Sequence, residues 1–149
     1  MKTILKKCPA CGKGPVAMIA RKGRTQRYKN MMLSLPADLE LAECTSCHEG
    51  FVDERDASAM DDALETAYHE ELRRRAIPLL DKLAKVLPQR RLETLLGLSV
   101  GYLSKIRSKE FPSAALVTEL ALLAADPAAG VHRLEKFWAK PARQPAPSR

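Results

Sequence analysis

An α+β fold is predicted for this chain: a small cysteine-bearing module with a short β-hairpin, a helical connector, and then an all-α domain. Three observations carry the prediction. All four cysteines stand in two Cys-x-x-Cys pairs that end at residue 47. The first 56 residues have little helical periodicity and carry glycine at positions 12, 14, 23 and 50. From about residue 57 onward, apolar residues recur at the three- and four-residue spacing of a helix face, punctuated by proline and glycine.

Residues 1–56 form the cysteine module. The best strand candidates are 15–20 and 38–43. In the second, Leu39 and Leu41 share one face while Glu40 and Ala42 take the other. A segment this short buries too little apolar surface to hold itself together and needs a staple.

Residues 57–76 read as a helical connector. Asp56 or Ser58 caps it, Asp61 and Asp62 sit at its positive end, and Arg73, Arg74 and Arg75 at its negative end. Met60, Leu64, Ala67, Tyr68 and Leu72 make one narrow apolar stripe. Pro78 ends it, because proline lacks an amide proton and disfavours helical geometry at Ile77.

Residues 77–138 form the all-α domain. Helices are expected over 78–86 and 89–96, with Pro88 suited to the first turn of the second. A turn over 97–99 leads to a third helix, capped by Ser99 and reaching about residue 107. Ser113 caps a fourth over 113–125, Asp126-Pro127 stops it, and a last helix spans 130–138. Residues 139–149, rich in proline, alanine and arginine, predict a disordered basic tail.

Charge narrows the partners. Lysine and arginine number 25 against 18 acids, a net charge of +7. Such a balance favours a polyanionic partner without choosing among DNA, RNA and an acidic protein. No apolar run approaches the roughly 20 residues that a bilayer span needs. No apolar segment follows Lys2, Lys6 and Lys7 as it would in a signal peptide, so the expectation is a cytoplasmic protein with no membrane partner.

The pairs Cys8-Pro9-Ala10-Cys11 and Cys44-Thr45-Ser46-Cys47 have the spacing of a four-thiolate metal site, since a two-residue gap lets both sulfurs of a pair face one ion. One structural zinc ion per chain, held by Cys8, Cys11, Cys44 and Cys47, is the expectation. Cys11-Gly12 and Cys47-His48 suit tight turns whose amides point back at sulfur, and the 32 residues between the pairs leave room for a hairpin. Disulfides fit poorly with a chain lacking an export signal. A thioredoxin-like role would require one pair at a helix start in a βαβ unit, and iron–sulfur spacings differ. Four thiolates leave no open coordination position, and no acid–base pair accompanies them. Glu49, Asp53 and Glu54 are ordinary surface acids, and His69 and His132 lie far along the chain, so no enzyme is expected.

Residues 89–107 have the form of a helix-turn-helix. Leu92, Leu95, Leu98, Leu103 and Ile106 can face a shared core, and Gly97 supplies the left-handed conformation of the turn. Val100, Gly101, Tyr102, Ser104 and Lys105 remain for a DNA major groove. Lys105 can reach a guanine edge, while Gln89, Ser99 and Tyr102 suit phosphates. Between residues 89 and 109 there are five bases (Arg90, Arg91, Lys105, Arg107, Lys109) and one acid, Glu93. A single such motif reads few base pairs, so a homodimer on a palindromic operator in double-stranded DNA is expected. A further basic run, Arg21, Lys22, Arg24, Arg27 and Lys29, either meets a polyanion or is a solvated hairpin face.

This order of parts resembles the MqsA family of type II antitoxins: Cys8-Pro9-Ala10-Cys11-Gly12, a basic hairpin, Cys44-Thr45-Ser46-Cys47-His48-Glu49, a helical connector, and an Xre-like helix-turn-helix. The resemblance covers residues 1 to about 126. It implies a zinc module that sequesters an mRNA-cleaving toxin, and a C-terminal domain that dimerises and represses the operon. By position the four cysteines match the family's zinc ligands, and Lys105 a basic base-reading residue. Gly101 stands where the family has a base-contacting asparagine, and Arg107 and Lys109 replace its usual Glu and Gly. If the zinc module grips a toxin in this way, the adjacent strand, Leu39 to Glu43, can extend a sheet across the interface. The alternative is a stand-alone, zinc-stabilised transcription regulator with no toxin partner.

Overall fold

The computed structural model describes residues 2–52 and 54–140; the side chains of residues 54–56 and everything from 141 on lie outside it. The expected Asp56 cap and most of the expected tail therefore fall outside the described residues. The chain is α+β: among the described residues, antiparallel strands with the cysteine cluster precede five helices. It divides into two compact units, one running to His69 and the other starting at Glu70.

In the first unit, β1 (Thr3–Leu5), β2 (Val16–Ala20), β5 (Glu40–Cys44) and β6 (Gly50–Phe51) make an antiparallel sheet in the order β1-β2-β5-β6. The two strands expected from sequence are its central pair, with Val16 opposite Cys44 and Ala20 opposite Glu40. The hairpin between the cysteine pairs is β3 (Thr25–Tyr28) with β4 (Met31–Ser34), Tyr28 facing Met31 across the turn. Its second strand alternates cleanly, Met31 and Leu33 buried and Met32 and Ser34 exposed, and Leu35 just beyond it is buried as well. In β5 the burial differs from the leucine face read off the sequence. Ala42 and Cys44 go into the core beside Cys8 and Val16, Leu41 is half-buried, and Glu43 is buried on the other side.

The tip of the hairpin is fastened by aromatic contacts. Lys29, at φ 51, holds its ammonium 5.0 Å from the Tyr28 ring centre and 4.6 Å from that of Tyr68. The two tyrosines meet edge-to-face at 5.6 Å, and the Tyr68 hydroxyl donates to Asn30 Oδ1 at 3.1 Å.

Tyr68 belongs to α1 (Glu54–Ala84), and here the sequence expectation is corrected: the helix runs unbroken through Pro78 and merges the connector with the first helix of the next domain. Leu64 and Tyr68 are buried in the first unit; Leu72, Ala76, Leu80 and Leu83 continue the same stripe in the second. Pro78 is exposed, so water can reach the carbonyl it leaves unpaired. An internal proline costs about 3 kcal/mol, whereas burying Leu80 and Leu83 contributes about 1.5–3 kcal/mol each. Packing on the opposite side of the helix therefore outweighs the local defect.

The second unit continues with α2 (Gln89–Leu95), α3 (Tyr102–Ser108), α4 (Ala114–Ala125) and α5 (Pro127–Trp138). Ser113 caps α4 as expected, its hydroxyl accepting from the Leu116 amide at 3.1 Å. Asp126-Pro127, read as a stop, is also a start. Asp126 accepts from the Ala129 amide at 3.2 Å and Pro127 occupies the first helical position, so α5 begins three residues early. Gly130 lies inside this helix because a β-carbon there would sit 3.1 Å from the Leu123 side chain, which lets the two helices meet across a 117° bend. Among the described residues no single helix is long and apolar enough to cross a membrane.

Tyr68→Ala should destabilise the first unit by about 3 kcal/mol, through loss of a buried ring. Tyr68→Phe, which removes only the hydroxyl bonded to Asn30, should cost about 1 kcal/mol. Denaturant unfolding of the two variants measures both.

Candidate metal centre and helix-turn-helix face

The two Cys-x-x-Cys pairs fold into matching turns. In each, the residue after the second cysteine takes a left-handed conformation, Gly12 at φ 70 and His48 at φ 61. Its amide bonds the carbonyl of the first cysteine: Gly12 N to Cys8 O at 2.8 Å, His48 N to Cys44 O at 3.1 Å. The turns are joined by Thr45 N donating to Pro15 O at 3.1 Å, and Gly14 allows the approach, since a β-carbon there would clash with Ser46 and Thr45. Sheet pairing of β2 with β5 brings the turns to the same end, so residues 33 to 39 positions apart converge.

Cys8 Sγ lies 3.8 Å from Cys47 Sγ, and Cys11 Sγ 3.7 Å from Cys44 Sγ. All four sulfurs are within 4.8 Å of one another. A disulfide would require about 2.05 Å, whereas the edge of a sulfur tetrahedron around an ion at about 2.3 Å is about 3.8 Å. The set therefore has the geometry of a metal site built from the four residues expected. Cys8 and Cys44 are buried, Cys11 is half-buried and Cys47 is exposed.

The thiols are not equivalent. Amides of Gly14 and Lys13 hold the Cys11 thiol down at about 6. The Cys47 and Ser46 amides lower that of Cys44 against its desolvation. For Cys47 the Glu49 amide favours the thiolate, but desolvation and the sulfurs of Cys11, Cys44 and Cys8 outweigh it and push the thiol up to about 12. Four sulfurs this close do not all ionise without a cation between them.

Beside the cluster, Glu43 is 4% exposed and accepts from Arg24 at 2.8 Å, with Arg21 at 3.2 Å and His48 Nδ1 at 3.1 Å. Burial opposes its charge, yet the Arg24 and His48 hydrogen bonds and the field of Arg21 hold its carboxyl below the ordinary value. Arg24 also donates to the carbonyls of Leu39 and Ile19. Of the five charges in the basic run, Arg24 alone is buried; Arg21, Lys22, Arg27 and Lys29 are exposed, with Arg21 paired to Glu43 and Lys29 lying against the tyrosines. His48 pairs with Glu43 through Nδ1, and its amide closes the second cysteine turn.

In the second unit the segment from α2 to α3 is organised by Glu93, which is 2% exposed. Its carboxylate accepts from the Gly101 amide at 3.0 Å, the Leu103 amide at 3.1 Å and the Gln89 side chain at 3.0 Å. Burial works against the charge, but these amides, Gln89 and nearby Arg90 hold the carboxyl below its usual value. The expected Ser99 cap is thereby corrected. The helix starts at Tyr102 with Gly101 as the preceding residue at φ 82, and its free amides are served by Glu93 across the turn. Leu92, Leu103 and Ile106 are buried and Leu95 and Leu98 half-buried; Gly97 has the expected positive φ, 66. At the far end Arg73 donates to the carbonyls of Ile106, Arg107 and Ser108 at 2.8, 2.8 and 3.0 Å. Its role is to close α3, not to end the helix that carries it. Arg74 and Arg75 bind Glu71, whose carboxyl Arg74 chiefly holds at about 2.

Of the residues assigned to DNA, Ser99, Val100, Ser104, Lys105 and Lys109 are exposed, and Gln89, Gly101, Tyr102 and Arg107 are half-buried. Gln89 donates to Ser104 Oγ at 2.8 Å, linking the two helices. Arg107 is paired with Asp81 at 2.6 Å, and Lys105 lies 3.8 Å from Glu110. The sequence reading missed Glu43, Glu93 and Arg73 as organisers. A lone acid among five bases was the available signal for Glu93. No protein-family model and no curated protein matches this chain.

Glu93→Ala should destabilise the second unit by about 2–3 kcal/mol, because buried amides of Gly101 and Leu103 lose their acceptor. In the native protein a folded-state value below the ordinary 4.5 means that the unfolded chain binds more protons. The Glu93 contribution is therefore full above about pH 4.5 and lost as pH falls through the lower, folded value. Urea unfolding at several pH values should show a shallower acid loss in Glu93→Ala than in the native chain.

Proposed function

We propose that this protein is a zinc-stabilised, DNA-binding antitoxin that represses its own operon, and not an enzyme. The observation that carries the DNA half is the α2–turn–α3 segment, whose connecting turn and third helix are fixed from inside by Glu93 and Arg73 while Ser99, Val100, Ser104, Lys105 and Lys109 face solvent. Rigid presentation of a polar and basic helix face is what groove reading requires. Lys105 is the base-edge candidate; Gln89, Ser99 and Tyr102 serve phosphates, and Arg107 acts mainly through Asp81.

Zinc is the metal that four thiolates in a tetrahedral arrangement favour, and its part here is structural: it ties the two cysteine turns into one unit. The order of cysteine module and helix-turn-helix, resembling that of MqsA-type antitoxins, supports a toxin as the partner of the first unit. Two copies on a palindromic operator follow from the small footprint of one motif. Exposed Leu122, Phe137 and Trp138 offer apolar surface for such pairing.

Metal analysis of the purified chain should find one zinc per chain, and chelation should unfold the first unit while the helical unit stays folded, read by amide exchange across both. First-unit structure that survives metal removal would count against structural zinc. Binding to the promoter of its own operon should weaken steeply with salt, and Lys105→Ala should reduce it about tenfold, within the range of one base-edge contact. The protein encoded beside this gene should co-purify with the chain. If promoter binding holds and no such partner exists, the stand-alone regulator is the correct reading.

A further inference from the structure

Val100 is 71% exposed, the highest value among the exposed large apolar side chains of the described residues, and it stands at the entrance to α3. Its position is enforced. Tyr102 N donates to Ser99 O at 3.1 Å, and Gly101 has φ 82 and ψ 0, the values of the third residue in a type II turn. Val100 is therefore the corner of a turn whose other corner requires glycine. The Glu93 carboxylate holds the Gly101 and Leu103 amides just beyond it, so the corner cannot fold inward. Its exposed neighbours, Ser99, Ser104 and Lys105, are all polar.

We infer that Val100 reads the C5-methyl group of a thymine in the major groove of duplex DNA. The inference rests on the DNA-binding reading and names what that surface selects. Thymine is the base that presents a methyl group in the major groove, and it is recognised there by apolar contact. A valine held rigidly at the solvent-facing corner has no hydrogen-bonding group with which to read any other edge. Beside it, Lys105 selects guanine, so each half-site combines an apolar and a cationic contact. Gly101 contributes no side-chain contact; its conformation sets the valine.

The test uses the full chain and a pool of random-sequence duplexes, from which retained DNA is sequenced and resynthesised with deoxyuridine in place of thymidine, one position at a time. At one position per half-site the loss of the methyl group should weaken native binding about fourfold, the size of one buried methyl contact. Val100→Ala should bind the thymidine duplex about fourfold more weakly and be indifferent to deoxyuridine at that position, while its melting temperature stays that of the native chain. Val100→Thr, which keeps one methyl group, should retain part of the sensitivity. Equal deoxyuridine sensitivity in native and Val100→Ala protein, or none at any position in the native protein, overturns the inference and leaves DNA binding intact. Enrichment of no duplex overturns the DNA-binding reading, and this inference with it.

Discussion

Four sulfur atoms sharing one small volume are the constraint on which the first unit depends. The closest pairs, at 3.7 and 3.8 Å, bring residues 33 and 39 positions apart together. Only the Tyr68 contacts with Tyr28, Lys29 and Asn30 span a comparable stretch of this segment among those described, and its apolar core is small: Cys8, Val16, Ala42 and Cys44, with Cys11, Met18 and Phe51 packed against them. Two cysteines of the four thus belong both to the core and to the candidate metal site. The thiol values express the same constraint, since amides pull Cys11 and Cys44 toward thiolate while crowding drives Cys47 the other way. A cation bound among them would remove the conflict and convert repulsion into a cross-link.

Among the described residues each unit also has one buried carboxylate that does what backbone alone cannot. Glu43 gathers Arg24, Arg21 and His48 beside the cysteine turns. Glu93 gathers two amides and Gln89 at the turn before α3. A buried charge that lacked partners would cost several kcal/mol, so both positions are intolerant of partial pairing. The difference lies in the partners. Glu43 is paired with arginines and ties β5 to the loop that carries Arg21 and Arg24, whereas Glu93 is solvated by amide dipoles and orients a helix end. Rigidity of the candidate DNA face comes from the second arrangement, completed by Arg73 at the opposite end of α3.

Much of the candidate site was legible in the sequence. The Cys-x-x-Cys spacing is local, and the turn it imposes follows from a few residues, so the four cysteines of the candidate metal site and the left-handed position after each pair could be read directly. The central strands, the helix-turn-helix span, the Gly97 turn and the Ser113 cap followed from periodicity and turn chemistry for the same reason. Misreadings arose where a distant partner decided. Pro78 breaks a helix by local rules, yet Leu80 and Leu83 bury on the other side and the helix continues. Ser99 has the chemistry of a cap, but Glu93 reaches the amides first, and the positive φ of Gly101 moves the helix start to Tyr102.

The sequence by itself determined which residues can bind metal, where the helices begin to alternate with turns, and that the chain carries more base than acid, because spacing, period and charge are properties of neighbours along the chain. Tertiary structure decided which charges remain available. Arg24 is enclosed with Glu43 and Arg107 is paired with Asp81, whereas Lys29, against Tyr28 and Tyr68, Lys105, beside Glu110, and Lys109 stay exposed. Whether a base faces solvent or a buried carboxylate depends on contacts across tens of residues, and no local pattern encodes them. The cysteine frame was complete in the sequence, and the surface beside it and beyond it was drawn by packing.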